Sequence, residues 1–170
     1  RPRCGEGRNG DRRREARVDI LILGIGNSIL SDEGVGVRVI DALAAADLPP
    51  GARAVDGGTI GLALLPLIES ADAVVFVDAA RMASPPGTVK VYEGAELDAF
   101  ALRAARTPHD VGLHDLLDGL RLTESLPAWR ALVGIEPGRL GLGADLTPAV
   151  ADAVPRAAEQ AREVAARWGS

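Results

Sequence analysis

Acidic side chains follow three separate apolar segments of this sequence, at positions where they could bind a cation or move a proton. Glu33 comes shortly after the first segment, Asp56 ends the second, and Asp78 ends the third. If the segments are parallel strands of one sheet, their carboxyl ends lie at one edge, where such sheets bind ligands. We therefore expect the three carboxylates to converge.

One histidine adds a nitrogen ligand to this set. His109 follows Thr107-Pro108 in a segment between two predicted helices. Two carboxylates and one imidazole, from Glu33, Asp78 and His109, suit a borderline divalent ion such as nickel, zinc or manganese, with positions open for water or substrate. The pattern predicts a metal site, and Asp56 either joins it or is a plain turn residue.

Each of these residues also has an ordinary structural interpretation. A carboxylate near a helix start interacts with the helix dipole, an acidic residue in a loop accepts hydrogen bonds, and a histidine after proline often lies on the surface. Their joint placement at one sheet edge favours a metal site. His114 is a weaker candidate: residues five apart do not share a helix face, and we expect it to pair with Asp118.

The segment from Gly24 to Gly36 matches a dinucleotide-binding loop only in part. Its glycines would let the backbone turn sharply and approach a ligand closely. The phosphate-binding pattern requires a further glycine where this chain has Ile29, and Glu33 near the helix start would repel a pyrophosphate. The sequence also lacks His-Glu-x-x-His and Gly-x-Ser-x-Gly motifs. The residues alone therefore predict an α/β domain with a metal site.

Alternating strands and helices must position these residues. Apolar runs and turn signals predict strands over residues 18–25, 52–55, 73–77, 88–92 and 131–135. Helical spacing predicts helices over residues 35–46, 60–68, 97–105, 111–122 and 148–168. Asp32 is a plausible N-cap, Pro66 should bend or shorten its helix, and Pro155 should kink the last one. The order predicts a three-layer α/β/α sandwich with a mainly parallel, about five-stranded twisted sheet.

Composition excludes several classes of protein. The net charge of −5 argues against nonspecific nucleic-acid binding. The one cysteine, Cys4, cannot build a disulfide framework or a cysteine zinc site, which favours a reducing cytoplasm. No apolar run approaches the roughly 18 residues of a membrane-spanning helix. We expect residues 1–17, which are polar and basic, to form a disordered leader before a single domain over residues 18–170.

Several short motifs, taken in order, resemble those of the hydrogenase maturation endopeptidases. The similarity covers about residues 18–168. The motifs that carry it are Gly24-Ile25-Gly26-Asn27, Asp32-Glu33-Gly34-Val35-Gly36, Asp56-Gly57-Gly58-Thr59, Val77-Asp78-Ala79, Thr107-Pro108-His109-Asp110, Val133-Gly134-Ile135-Glu136-Pro137 and Leu146-Thr147-Pro148. Each motif is weak alone, but their order and spacing are specific.

This resemblance implies an enzyme that removes a short C-terminal extension from the precursor of a nickel-iron hydrogenase large subunit. It also implies that Glu33, Asp78 and His109 recognise nickel already installed in that precursor, with zinc or cadmium able to substitute. Asp56 matches a further acidic position for which a catalytic role is suggested. The ion would polarise the scissile carbonyl or a water, or would only dock the substrate.

Two other classes of function stay open at this point. A non-catalytic chaperone that senses the metal in the large subunit would share the metal site. A nucleotide-binding α/β enzyme would retain a cofactor. Mixing the protein with a nickel-loaded precursor separates the protease from the chaperone, because only the protease changes the mass of the precursor.

Overall fold

The computed structural model describes residues 17–59, 61–104 and 113–170. Within these ranges the strands are β1 Ile20–Ile25, β2 Ala52–Gly58, β3 Ala73–Ala79, β4 Val89–Glu93 and β5 Trp129–Ile135. The helices are α1 Val35–Ala44, α2 Leu65–Glu69, α3 Ala95–Ala104, α4 Leu113–Leu122 and α5 Pro148–Trp168. Short 3-10 turns, Asp32–Gly34 and Gly61–Leu64, precede α1 and α2. Residues 1–16 of the predicted leader and the predicted ligand His109 lie outside the described residues.

The five strands form one twisted sheet in the order β2-β1-β3-β5-β4. The first four of these pair in parallel, and β4 joins the edge antiparallel to β5. The strand predicted over residues 88–92 is thus confirmed as β4, which lies at the edge of the sheet and is partly exposed. The alternation of strands and helices along the sequence predicted parallel strands joined by helical crossovers, and this is the observed arrangement.

Two apolar layers cover the two faces of the sheet because successive strand residues point to opposite sides. On β1, Ile20 and Ile22 pack with α1 and α5, while Leu21 and Leu23 pack with α2, α3 and α4. All four side chains are fully buried. The predicted three-layer α/β/α sandwich is therefore confirmed. No helix in the described ranges is long and apolar enough to cross a bilayer.

Asp32, Pro66 and Pro155 were each expected to shape a helix. Asp32 does not cap α1: Gly34 occupies the N-cap position, no side chain caps it, and the Asp32 carboxylate binds elsewhere. Of the two effects expected of Pro66, the structure shows the shorter helix. A 3-10 turn occupies Gly61–Leu64, and α2 begins only at Leu65, so that Pro66 lies in its first turn, where a missing N–H costs nothing. The last helix runs as one element through Pro155; the kink expected there stays a prediction.

Candidate functional site

A cavity of 490 Å³ opens beyond the carboxyl ends of β1 and β3, on the face that carries α2, α3 and α4. Two acidic side chains, Glu33 and Asp78, line it. Much of the remaining wall is apolar and comes from several elements: Ile25, Leu64, Phe100, Leu113, Leu116 and Leu132. A concave, mainly apolar site with a few polar groups is the usual form of a ligand site.

Glu33 and Asp78 reach this cavity from different elements. Glu33 lies in the 3-10 turn after β1, and this turn packs against β3. Asp78 lies near the end of β3 and shares the sheet face of Phe76, two residues earlier. Both are only partly exposed. The predicted convergence of these two carboxylates is therefore found.

Glycines make room for the turn that carries Glu33. A Cβ at Gly26, where φ is 138°, would lie 1.8 Å from the carbonyl oxygen of Glu33. A Cβ at Gly36 would lie 2.2 Å from the Ile25 oxygen and 2.4 Å from the Val77 oxygen. The glycines were expected to admit a ligand; at these two positions they admit the protein's own backbone.

We expect Gly36→Ala to destabilise the protein by about 1–3 kcal/mol, the usual cost of overpacking. The added methyl would push α1 away from β1 and β3 and displace Glu33 with it. Thermal unfolding measures the loss, and Asp41→Ala, at an exposed position of the same helix, is the control. A Gly36→Ala protein as stable as wild type would show that the helix can shift without cost.

Asp32, beside Glu33, organises the loop opposite. Its side chain is fully buried. It accepts hydrogen bonds from the backbone N–H groups of Gly138 at 2.8 Å, Arg139 at 2.7 Å and Thr147 at 2.7 Å, and from the Thr147 hydroxyl at 2.8 Å. Burial alone would raise the pKa of Asp32, but these donated hydrogen bonds outweigh it and hold the pKa below its usual value.

Ser31 supports the same loop from a strained backbone position. Its φ is 53°, a region that costs free energy for residues other than glycine. Its hydroxyl donates to the Asp145 carbonyl at 2.8 Å and accepts from the Arg139 guanidinium at 3.1 Å. Because the same loop supplies Pro137 and Leu140 to the cavity wall, Ser31 and Asp32 couple the Glu33 turn to the shape of the cavity. Sequence reasoning missed this role.

Asp56 does not line the cavity. It is exposed, lies in β2 rather than after it, and its carboxylate accepts a hydrogen bond from the Gly58 N–H at 2.8 Å. It pairs in register with Gly24, which also pairs with Val77, so Asp56 shares the face of Val77 and not that of Asp78. Its catalytic role stays a prediction.

Of the two histidines, the structure describes only His114. The role of His109 as third ligand therefore stays a prediction. His114 on α4 contacts Asp118, with 3.2 Å between Nε2 and Oδ2, as expected. Contrary to the expectation that it points away from the site, His114 also lines the cavity. Within residues 17–59, 61–104 and 113–170 no group of three possible ligands could hold a metal ion.

The sequence and the fold of this chain are similar to those of known proteins. The family model for the HycI hydrogenase maturation proteases matches residues 37–164. This chain belongs to the hydrogenase maturation protease family. It is 38% identical over 153 residues to the hydrogenase expression/formation protein HupD of Rhodobacter capsulatus, covering 88% of this chain and 72% of that one. It is 37% identical over 143 residues to the hydrogenase 2 maturation protease of Escherichia coli, covering 83% and 87%.

Solved structures of hydrogenase maturation proteases share the fold. The hydrogenase maturating endopeptidase HybD of Escherichia coli superposes with a TM-score of 0.73 at 37% identity, covering 83% of this chain and 88% of that one. The maturation protease HybD of Thermococcus kodakarensis gives 0.70 at 28% identity, covering 86% and 98%. The predicted family, α/β fold and protease activity are therefore confirmed.

Proposed function

We propose that this maturation protease removes the C-terminal extension of a nickel-iron hydrogenase large-subunit precursor after nickel has been inserted. The observation that carries the proposal is the pair of carboxylates, Glu33 and Asp78, on the wall of one cavity at the carboxyl edge of the sheet. Carboxylate oxygens suit a divalent ion, and two of them leave coordination positions to the substrate.

In this proposal nickel arrives with the precursor and belongs to the substrate. Glu33 and Asp78 would contact it directly, and His109 would be the third protein ligand. The apolar wall of the cavity would exclude water from the chain beside the metal, which strengthens electrostatic contacts. A precursor without metal would offer no cation to these carboxylates, so that cleavage would follow metal insertion.

Peptide hydrolysis also needs a group that takes a proton from the attacking water. Glu33 and Asp78 are the two acidic groups among the described residues that line the cavity. A carboxylate that contacts the ion through one oxygen could act through its other oxygen as general base towards a water, and either of the two could take this role. Asp56, from the opposite sheet face, would require a substrate that reaches around the edge of β2. We also propose that processing takes place in the cytoplasm.

The direct test is the mass of a large-subunit precursor after incubation with the protein. We expect a loss equal to the extension from the nickel-loaded precursor and no loss from the nickel-free precursor. Binding without any mass change would indicate a chaperone and not a protease. Equal cleavage of both precursors would show that the metal is not recognised.

We expect the isolated protein to bind zinc or cadmium, and His109→Ala to weaken that binding. Loss of a ligand should cost at least the roughly 10- to 100-fold that removal of an outer-shell partner costs. Calorimetric titration of wild type, His109→Ala and His114→Ala measures it. His114→Ala should keep its affinity, because Asp118 already holds that imidazole. If His114→Ala instead loses the affinity and His109→Ala retains it, the third ligand is His114.

A further inference from the structure

Two arginines, Arg81 and Arg103, line the same cavity as Glu33 and Asp78. Arg81 comes two residues after β3, and Arg103 lies in the last turn of α3. Both are exposed. Neither forms an ion pair or hydrogen bond within the part of the chain that the structure describes. The two arginines therefore add positive charge to a mainly apolar cavity whose acidic groups, among the described residues, are Glu33 and Asp78.

The arginines also line a second cavity, of 250 Å³, which adjoins the first. Arg81, Arg103 and Phe100 are common to both. The remaining wall is made by Met82, Ala83 and Tyr92, and the Tyr92 ring stacks on Phe100 with centroids 4.5 Å apart. Burial raises the pKa of Tyr92, so its hydroxyl keeps its proton at neutral pH and can donate a hydrogen bond.

Two carboxylates, of the buried Glu136 and the partly exposed Asp98, hold the arginine-bearing segments in place. Glu136 is 6% exposed, and its Oε2 accepts hydrogen bonds from the N–H groups of Met82 at 2.6 Å and Ser84 at 3.2 Å, which fixes the loop of Arg81. Asp98 binds Arg130 and Arg121 and so ties α3 to β5 and α4. The hydrogen bonds from Arg130 lower the pKa of Asp98, so it is charged at neutral pH. The segments are anchored, and among the described residues no carboxylate pairs with their guanidinium groups.

We propose that Arg81 and Arg103 bind a carboxylate of the precursor's C-terminal extension. A guanidinium pair beside a small cavity suits a carboxylate because each planar group can donate two parallel hydrogen bonds. The precursor would then match the cavity along its length. Its metal would contact Glu33 and Asp78, its apolar side chains would pack on the cavity wall, and its carboxylate would bind the two arginines. This inference rests on the proposed function.

The size of the cavity limits where that carboxylate lies. For a cavity as deep as it is wide, a volume of 490 Å³ gives a width of about 8 Å, which an extended chain spans in roughly two or three residues. The bound carboxylate therefore belongs to an acidic side chain close to the scissile bond, or to the chain terminus if the extension is very short.

The test uses the full-length protein with Arg81→Gln, Arg103→Gln and both together. On the nickel-loaded precursor we expect the double variant to raise KM by about tenfold or more, as loss of charged hydrogen bonds does, with kcat unchanged. Arg156→Gln, at an exposed position on α5, should change neither. The double lysine variant, which keeps the charge, should recover part of the KM.

Modified precursors identify the carboxylate. One has every Asp and Glu of its extension changed to Asn or Gln, and the other has an amidated C-terminus. Whichever carries the recognised carboxylate should raise KM for wild type but add little for the double variant, because each change removes the same contact. If neither modified precursor raises KM for wild type, a carboxylate is not what the arginines bind.

Binding of a labelled peptide with the extension sequence separates this inference from the proposed function. Cleavage by wild type with unchanged KM and peptide affinity in the double variant would overturn the inference and leave the function standing. No cleavage by wild type, but peptide binding that the double variant loses, would overturn the function and support the arginine site. Equal peptide binding by both proteins overturns the arginine site in every case.

Discussion

Glu33→Gln and Asp78→Asn should each reduce processing of a nickel-loaded precursor by about a hundredfold or more, comparable to the loss of a preorganised electrostatic contact in an active site. Both side chains line the cavity, and neither is part of the buried apolar layers. The amide variants keep the shape of the side chain but remove the charge that binds a cation. We therefore expect native circular dichroism with little cleavage. His109→Ala is expected to behave in the same way.

A binding measurement shows which step each carboxylate serves. A variant that neither binds nor cuts the nickel-loaded precursor has lost a metal contact, while one that binds but does not cut has lost the general base. Asp41→Asn on α1 and Glu159→Gln on α5, both exposed, are matched controls and should keep full activity. Full activity in any two of the variants at Glu33, Asp78 and His109 would refute the proposed site.

Asp32→Ala should be the most destabilising change near the site. It would remove the acceptor of three part-buried backbone N–H groups, and a hydrogen bond to a charged group contributes roughly 1.5–3 kcal/mol. We expect a loss of at least about 3 kcal/mol, or a fall in Tm of roughly 6–12 °C for a domain of this size. Asp145→Ala, an exposed side chain in the same loop, is the control. A loss below about 1 kcal/mol would mean that the loop holds without Asp32.

The same carboxylate makes stability depend on pH in the acid range. Because folding lowers the pKa of Asp32, the folded state binds its proton less readily than the unfolded chain. The stabilisation is complete well above the unfolded pKa, about 3.9, and is lost as pH falls through the lower folded value. Asp32→Asn should flatten part of this acid dependence. Asp98, whose pKa is also lowered, should account for the acid dependence of stability that remains in this variant.

Much of the architecture followed from local sequence pattern. The apolar segment before Gly24 predicted a buried strand, and the run from Pro148 to Trp168 predicted a helix that the structure reproduces to the residue. The alternation of strands and helices was enough to predict a parallel three-layer fold, because few topologies are compatible with right-handed crossovers. Glu33 and Asp78 could be placed at one edge for the same reason.

Other features depended on contacts between distant parts of the chain. Asp32 was expected to cap the next helix, and its true donors lie 106 to 115 residues away, which no local pattern reveals. Glu136 likewise fixes a loop 52 to 54 residues earlier. The face on which Asp56 lies depends on strand register, and a shift of one residue would reverse it.

By itself, the sequence determined the fold class, the family and the sheet edge at which Glu33 and Asp78 meet, because hydrophobic periodicity and motif order are properties of the chain alone. Only the tertiary structure decided that Asp56 stays outside the cavity, that His114 joins its wall, and that Arg81 and Arg103 stand together. Those relations depend on which elements pack side by side, and that is set by the summed burial of the two apolar layers rather than by any short segment.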